Sequence, residues 1–358
     1  MPLMIERPDA AAPLAGYYDD LIEAEQEFYI PAATENFVST GILANDEFTS
    51  VLDGDPVIRS FKNMTINENH IVRPTNRCKG MFIYVEGDLV VNGTLSMTAR
   101  GAKAEGKYVG IDPHTKEIHF ANSNIYSEYP HVVVIPKQGG SGGISVVATT
   151  PGINTFKGTL GNGGENATVG ACGGGGSGGA YSSHGGTVRS GAGSAGTSFS
   201  GGAGGGGCTN DQVSVTGYNG AVEGGAGGAG RILRFSGAST ARGAGGGAGN
   251  PGGAGAATNG GTGLAGSTGS GGLMILFVKG NIVFGTEGKI ESKGTPGGRG
   301  SSASGGSSGG GTICIFHKGI VGNPEKISVA GGEKTASGAG YNADGGSGGV
   351  GTLRLISM

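Results

Sequence analysis

The sequence has no tryptophan and few other aromatic residues. It has no basic stripe: 24 basic and 27 acidic residues are spread along the chain for a net charge of −3, which gives nucleic-acid binding little support. No run approaches the 18 or so apolar residues of a membrane span. The opening Met-Pro-Leu-Met-Ile-Glu-Arg-Pro lacks both the positive and the apolar regions of a secretory signal, so synthesis in a cytoplasm without export by that route is expected. Cysteine is limited to Cys78, Cys172, Cys208 and Cys314, far apart and without a CxxC pair. A zinc site is therefore not expected, and buried free thiols are favoured over disulfides.

Catalytic signatures are missing as well. There is no Walker-type lysine loop, no HExxH and no EF-hand loop, and no carboxylate pair stands out as a glycosidase dyad. GxSxG occurs at Gly175–Gly179 and Gly345–Gly349. In surroundings this rich in glycine and serine it arises by chance, and no helix pattern follows to make Ser177 or Ser347 a nucleophile. The GxGxxG at Gly225, Gly227 and Gly230 has no βαβ unit around it. His114 and His119, with Asp112 and Glu117 nearby, could hold a metal, but a solvated loop is the favoured reading. No enzyme activity, cofactor or metal is expected.

What the chain does have is glycine: 82 in 358 residues. Residues 1–150 hold 13 of them and residues 151–358 the other 69. A segment that is one-third glycine cannot build a side-chain core, because glycine has nothing to bury and loses the most backbone freedom on folding. It is either disordered or held by dense backbone hydrogen bonding. Recurring β-branched clusters inside the glycine-rich part favour order.

The N-terminal 60 residues form an ordinary polar segment, read as an attachment region. Tyr17 to Tyr29 predicts a short helix with Leu21, Ala24 and Phe28 on one face. Residues 61–157 read as a β-rich domain. Met81 to Val85 is a strand, Glu86-Gly87-Asp88 a turn, and Leu89 to Met97 alternates into a second strand. Val132 to Ile135 and Ile144 to Val147 add two more. Lys107 to Tyr129 lacks periodicity and reads as a loop or an extended insertion.

Residues 158–358 contain a glycine followed by a short apolar strand at Gly230, Gly272, Gly311 and Gly351, at intervals of 42, 39 and 40 residues. A period near 40 predicts stacked units that bury one another's strands. Between them, glycine runs suit left-handed polyproline-II geometry, in which bare backbones pack side by side. Glycine falls on every third residue from 243 to 255 but not at Thr258, and prolines in the runs are few, which disfavours collagen. The expected fold is thus mainly β with polyglycine II helices, a repeat-like sandwich of strands and glycine helices.

Large side chains that interrupt the runs are the candidate contact residues: Tyr181, His184, Phe199, Tyr218, Asn219, Tyr341 and Asn342. Aromatic and adaptable polar groups make good contact surfaces. Filling gaps at helix ends is the competing role.

The pattern GxLxxNGTLxMxxxG from Gly87, followed by long GGAGG and GGSGG runs and then Gly272-Leu-Met-Ile-Leu and Gly288-Lys-Ile, resembles the glycine-rich distal proteins of tailed-bacteriophage tails and fibres. The resemblance covers about 158–358 and is one of composition and spacing. It implies a polyglycine type II sandwich and a non-enzymatic virion protein, a tail fibre, tip or baseplate protein that recognises a host surface glycan or outer-membrane protein. It also implies partners among other virion proteins through residues 1–60, a possible homo-oligomer such as a trimer, and assembly in the host cytoplasm. A purely structural virion component, in a baseplate, collar or head decoration, is the alternative. A bacterial surface protein is a third reading, disfavoured by the absent signal.

Overall fold

The computed structural model describes residues 26–41, 45–102, 108–112, 114–121, 128, 131–134, 269–297, 307–333 and 350–358, and short strands at 145–150, 153–158, 180–181, 188–189, 208–209, 232–235, 238–242 and 343–344. The molecule is mainly β, and its one described helix is a single 3-10 turn at Pro324–Lys326.

The chain winds. It lays down Val57–Phe61, bends, adds Met64–Ile66, turns a corner and adds Ile71–Pro74, then repeats the path with Met81–Val85, Leu89–Val91 and Thr94–Ser96. After residues 103–268 the path resumes with Leu273–Phe284 and Lys289–Glu291, then Thr312–Val321 and Ile327–Ser328, and ends on Thr352–Ser357. Each passage is one coil, and strands of successive coils pair in parallel. Three columns result. The first runs Val57–Phe61, Met81–Val85, 273–278, 312–317 and Thr352–Ser357. The second runs Phe37–Val38, Met64–Ile66, Leu89–Val91, 282–284 and 319–321. The third runs Asn45–Phe48, Ile71–Pro74, Thr94–Ser96, Lys289–Glu291 and Ile327–Ser328.

All three columns turn apolar side chains inward to one core. Met81, Ile83, Val85, Met274, Leu276 and Ile315 come from the first; Met64, Ile66, Leu89, Val91 and Ile282 from the second; Val72, Leu95 and Ile290 from the third. All of these are at 0% exposure. Burial of this kind contributes roughly 1.5–3 kcal/mol for each large side chain.

The first column is buried on both faces, which explains why MFIYV and LMILFV read as continuous apolar runs rather than alternating ones. Its outer face carries Phe82, Tyr84, Ile275, Phe277 and Phe316, packed under a second sheet through Ile30, Val109, Ile111, Ile118 and Phe120. That second sheet is antiparallel, in the order Gln26–Tyr29, Glu117–Ala121, Tyr108–Asp112, His131–Val134.

Two expectations are corrected here. The end of the expected Tyr17–Tyr29 helix, Gln26–Tyr29, is a strand paired with Glu117–Phe120; residues 17–25 lie outside the described residues. Phe28 meets Phe120 edge-on at 5.3 Å, and that tertiary contact overrides a weak local preference. The aperiodic stretch Lys107–Tyr129 contains a hairpin, Tyr108–Asp112 with Glu117–Ala121. Its signal was present in the alternation of Val109 and Ile111 with Ile118 and Phe120. At its tip the Asp112 carboxylate accepts the N–H groups of His114 (2.8 Å) and Thr115 (3.2 Å). Burial alone would raise the pKa of Asp112, but these two donors outweigh it and hold it below the usual carboxylate value.

Glu86-Gly87-Asp88 does turn the chain, but into the next column and not back on itself. The bend is set by a ladder between coils. Asn63 Nδ2 donates to Asn36 Oδ1 at 3.0 Å, Asn63 Oδ1 accepts from Asp88 N at 3.1 Å, and Asp88 Oδ1 accepts from Asn281 N at 2.7 Å. A β-carbon on Gly87 or Gly280 would collide with the side chain and backbone of the preceding rung. Glycine just before the Asp or Asn is therefore a packing requirement.

Ser/Gly segments form a further layer between the third column and the start of the next coil. Residues 269–272 and 307–311 are buried throughout. From 307–311 hydrogen bonds run in three directions: Gly271 N donates to Gly309 O (3.2 Å), Gly311 N to Ser292 O (2.7 Å), Ser308 N to Thr295 O (2.9 Å) and Gly332 N to Ser308 O (2.8 Å). The strands after Gly272, Gly311 and Gly351 pair in register, Leu273 with Thr312 and Thr312 with Thr352. The strand after Gly230, Ile232–Phe235, instead pairs antiparallel with Ala238–Arg242.

Candidate functional site

Of the expected contact residues, Tyr181 lies in the short strand Ala180–Tyr181, opposite Phe156 and beside Thr209. His184, Phe199, Tyr218, Asn219, Tyr341 and Asn342 lie outside the described residues, as do the glycine runs from 170 to 230 and from 243 to 255. Five of the seven candidates belong to residues 103–268, and the described structure defines where that long segment leaves and returns.

It leaves after Ala102 and returns at Gly269. The two ends are joined: Gly101 N donates to Ser270 O at 3.2 Å, and Gly272 N donates to Met97 O at 3.0 Å. Just beyond this neck, Met81–Val85 and residues 274–278 run side by side for five residue pairs. Within this stretch Tyr108–Asp112, Glu117–Ala121 and His131–Val134 fold back as the sheet that covers the first column, and the coils before and after it form one continuous stack. Strands from before and after residue 158 share a sheet.

Chemistry-bearing groups elsewhere read as structure. Ser39 Oγ lies 2.7 Å from His70 Nδ1, a pair that the sequence reading missed because 31 residues separate the two. The serine is 1% exposed. Its Oγ also accepts Asn67 N–H at 2.8 Å, while Asn67 Nδ2 donates to Ser39 O at 2.9 Å. One corner further on, Ser50 and Asn76 make the same two bonds at 2.7 and 2.8 Å, with no histidine. A serine–asparagine clamp between coils accounts for both, and a nucleophile sealed from substrate is not needed.

Cys78 and Cys314 are buried free thiols. Burial pushes the Cys314 thiol up to about 12 and raises that of Cys78, so neither is a thiolate at neutral pH. Burial also lowers the pKa of His131 and His317; for His131 the Arg354 charge adds to the effect. His119 is buried in the covering sheet, 3.6 Å from Glu27 Oε1 and 3.8 Å from Glu117 Oε2, while His114 sits exposed at the hairpin tip. Among the described residues no group of three His, Cys, Asp or Glu is placed to hold a metal ion, and no helix is long and apolar enough to cross a membrane.

Comparison with protein-family models, with curated proteins and with solved structures finds no match to this chain.

Proposed function

We propose that this chain is a non-enzymatic virion protein of a bacteriophage, a tail fibre, tip or baseplate component, whose long glycine-rich segment meets the host surface. The observation that carries this reading is the closed neck. A stack of parallel coils with a core of fully buried apolar side chains holds both ends of residues 103–268 together through Gly101 and Ser270. Presentation of a variable segment from a rigid scaffold is a general way to build a recognition surface. Tyr181, His184, Phe199, Tyr218 and Asn219 all belong to that segment.

The glycine runs are, in this reading, polyglycine II helices, and the coils after Gly272, Gly311 and Gly351 are repeats of one unit. Support comes from residues 307–311, where a Ser/Gly segment with no large side chain is buried and bonded to neighbours on three sides. That is the packing which runs such as 243–255 would need. Attachment to other virion proteins is assigned to residues 1–60, with assembly in the host cytoplasm.

The test is competition. Purified full-length protein should bind intact host cells and block adsorption of the phage whose particles an antibody to the chain labels. Labelled particles without cell binding would leave only the structural role; absence from every particle would refute the virion assignment.

A further inference from the structure

The two ends of the stack are built differently. Two inward rows of the first column run its whole length. One is Val57, Met81, Met274, Ile313 and Leu353; the other is Arg59, Ile83, Leu276, Ile315 and Leu355. The three middle members of each row are at 0% exposure. At the start of the stack Val57 is buried, and Phe37, Phe48 and Phe61 close the core with ring centroids 5.0 to 6.4 Å apart. Arg59 stands there in place of a core side chain. Its guanidinium lies 5.4 Å from the Phe48 centroid and donates to Ile58 O at 2.9 Å. At the far end the same rows finish on Leu353 and Leu355, which are 38% and 41% exposed, between Val350 and Met358 at 53% each. Apolar positions sealed in the coils before are left open in the last one.

The same strand has an open backbone edge. Among the described strands, Thr352–Ser357 is the last of its sheet. Thr352 N donates to Gly311 O (3.0 Å) and Met358 N to His317 O (2.9 Å), both toward the preceding coil. Alternate residues of a strand bond to opposite sides, so the N–H and C=O groups of Leu353, Leu355 and Ser357 face away from that coil. An edge of this kind, with an apolar face, is a template for another strand. The start of the stack is protected, because a strand added beside Val57–Phe61 would bury the Arg59 charge.

We propose that the Thr352–Ser357 edge is a dimer interface, covered by the same strand of a second copy of this chain. Head-to-tail stacking would set Leu355 against Arg59 and bury an unpaired guanidinium, which is costly. Pairing end to end about a twofold axis uses one patch twice. Residues directly opposite in an antiparallel pair share a face, so the two leucine faces merge. An axis through Arg354 would bring like charges face to face, which is destabilising. An axis through Leu355 sets it against the partner's Leu355, Leu353 against the partner's Ser357 and Arg354 against the partner's Ile356. The outward N–H and C=O groups of 353, 355 and 357 are then matched. This pairing rests on the stack alone and is independent of the virion assignment.

The experiment sizes the full-length chain by sedimentation equilibrium over a range of concentrations. Twice the chain mass is expected. Leu355→Arg, at a half-exposed position, should keep the circular dichroism spectrum and weaken dimerisation about a hundredfold or more, because each dimer carries the change twice. Leu355→Cys should give a disulfide-linked dimer on mild oxidation, since opposed residues of this kind have Cα atoms about 5.5 Å apart, within disulfide reach. Wild type and Val51→Cys, exposed in the first coil, should not cross-link. A monomer at every concentration overturns the proposal and leaves the edge to a different protein. A trimer, a dimer that Leu355→Arg leaves unchanged, or cross-linking through Val51→Cys and not Leu355→Cys overturns it as well.

Discussion

Gly310 is the position at which the glycine layer can be tested most directly. A β-carbon there would run into Val329 O and lie 2.7 Å from Val329 C and 2.9 Å from Ala330 O. All three are backbone atoms, so the segment 328–332 must move as a unit. Three of the bonds that tie that segment lie closest to the clash: Gly351 N to Val329 O (2.7 Å), Gly294 N to Ala330 O (2.9 Å) and Gly332 N to Ser308 O (2.8 Å). With about 0.5–1.5 kcal/mol net for each, losing or stretching them in Gly310→Ala should cost about 2–4 kcal/mol, in the range of an overpacked core. Gly319→Ala is the control. Its β-carbon would approach only the Asn281 side-chain amide, Oδ1 at 2.7 Å, and an amide can rotate away; less than about 1 kcal/mol is expected for such a surface change. Thermal melts followed by circular dichroism should show Gly310→Ala lowered by about 4–10 °C and Gly319→Ala nearly unchanged. Equal melting temperatures would mean that the glycine layer is not packed backbone against backbone.

Cleavage at a protease site inserted between Gly260 and Gly261 should leave the two fragments together in native size exclusion, because Met81–Val85 pairs with 274–278 across the neck; separation would refute the continuous stack. Ala99 has φ 58°, a conformation that costs a β-carbon residue roughly 1–2 kcal/mol, so Ala99→Gly should be neutral or stabilising by up to about 1 kcal/mol in chemical denaturation; a clear loss would be unexpected. Native protein should leave Cys78 and Cys314 unmodified by iodoacetamide at pH 8, with both labelled in denaturant, as read by peptide mass spectrometry. Because the folded Cys314 thiol is raised from 9.0 to about 12, the unfolded chain loses its proton first as pH rises. Stability should therefore fall between pH 9 and 12, by at most about 1.4 kcal/mol per unit. The lowered pKa values of His131 and His317 act at the other end: the unfolded chain takes up protons first, so stability should fall as pH drops below about 6.5.

Composition and local pattern alone determined that this is a mainly β protein, with no long helix among the described residues. They placed the strands at Met81–Val85 and 132–134 and singled out the strands that follow Gly272, Gly311 and Gly351, whereas the single strand expected over Leu89–Met97 is two, Leu89–Val91 and Thr94–Ser96, in different columns. Those features are legible because strand-forming residues and glycine act through the backbone of their own short segment. Pairing is not local. The Glu86-Gly87-Asp88 bend has the sequence of a hairpin turn, and only the Asn63 amide of the previous coil decides that the chain goes forward instead of back. The hairpin at Tyr108–Ala121 exists because the outer face of the first column needs a cover, and the strand at Gln26–Tyr29 exists because that cover has a free edge. Met81 and Met274 are 193 positions apart in the chain and adjacent in the sheet. No property of either residue announces the other, since what joins them is the closure of residues 103–268 at Gly101 and Ser270. The same holds for Tyr84, Lys116 and Lys279. Each is unremarkable in sequence, and only the stacking of a hairpin tip on two coils brings two ammonium groups to one aromatic ring.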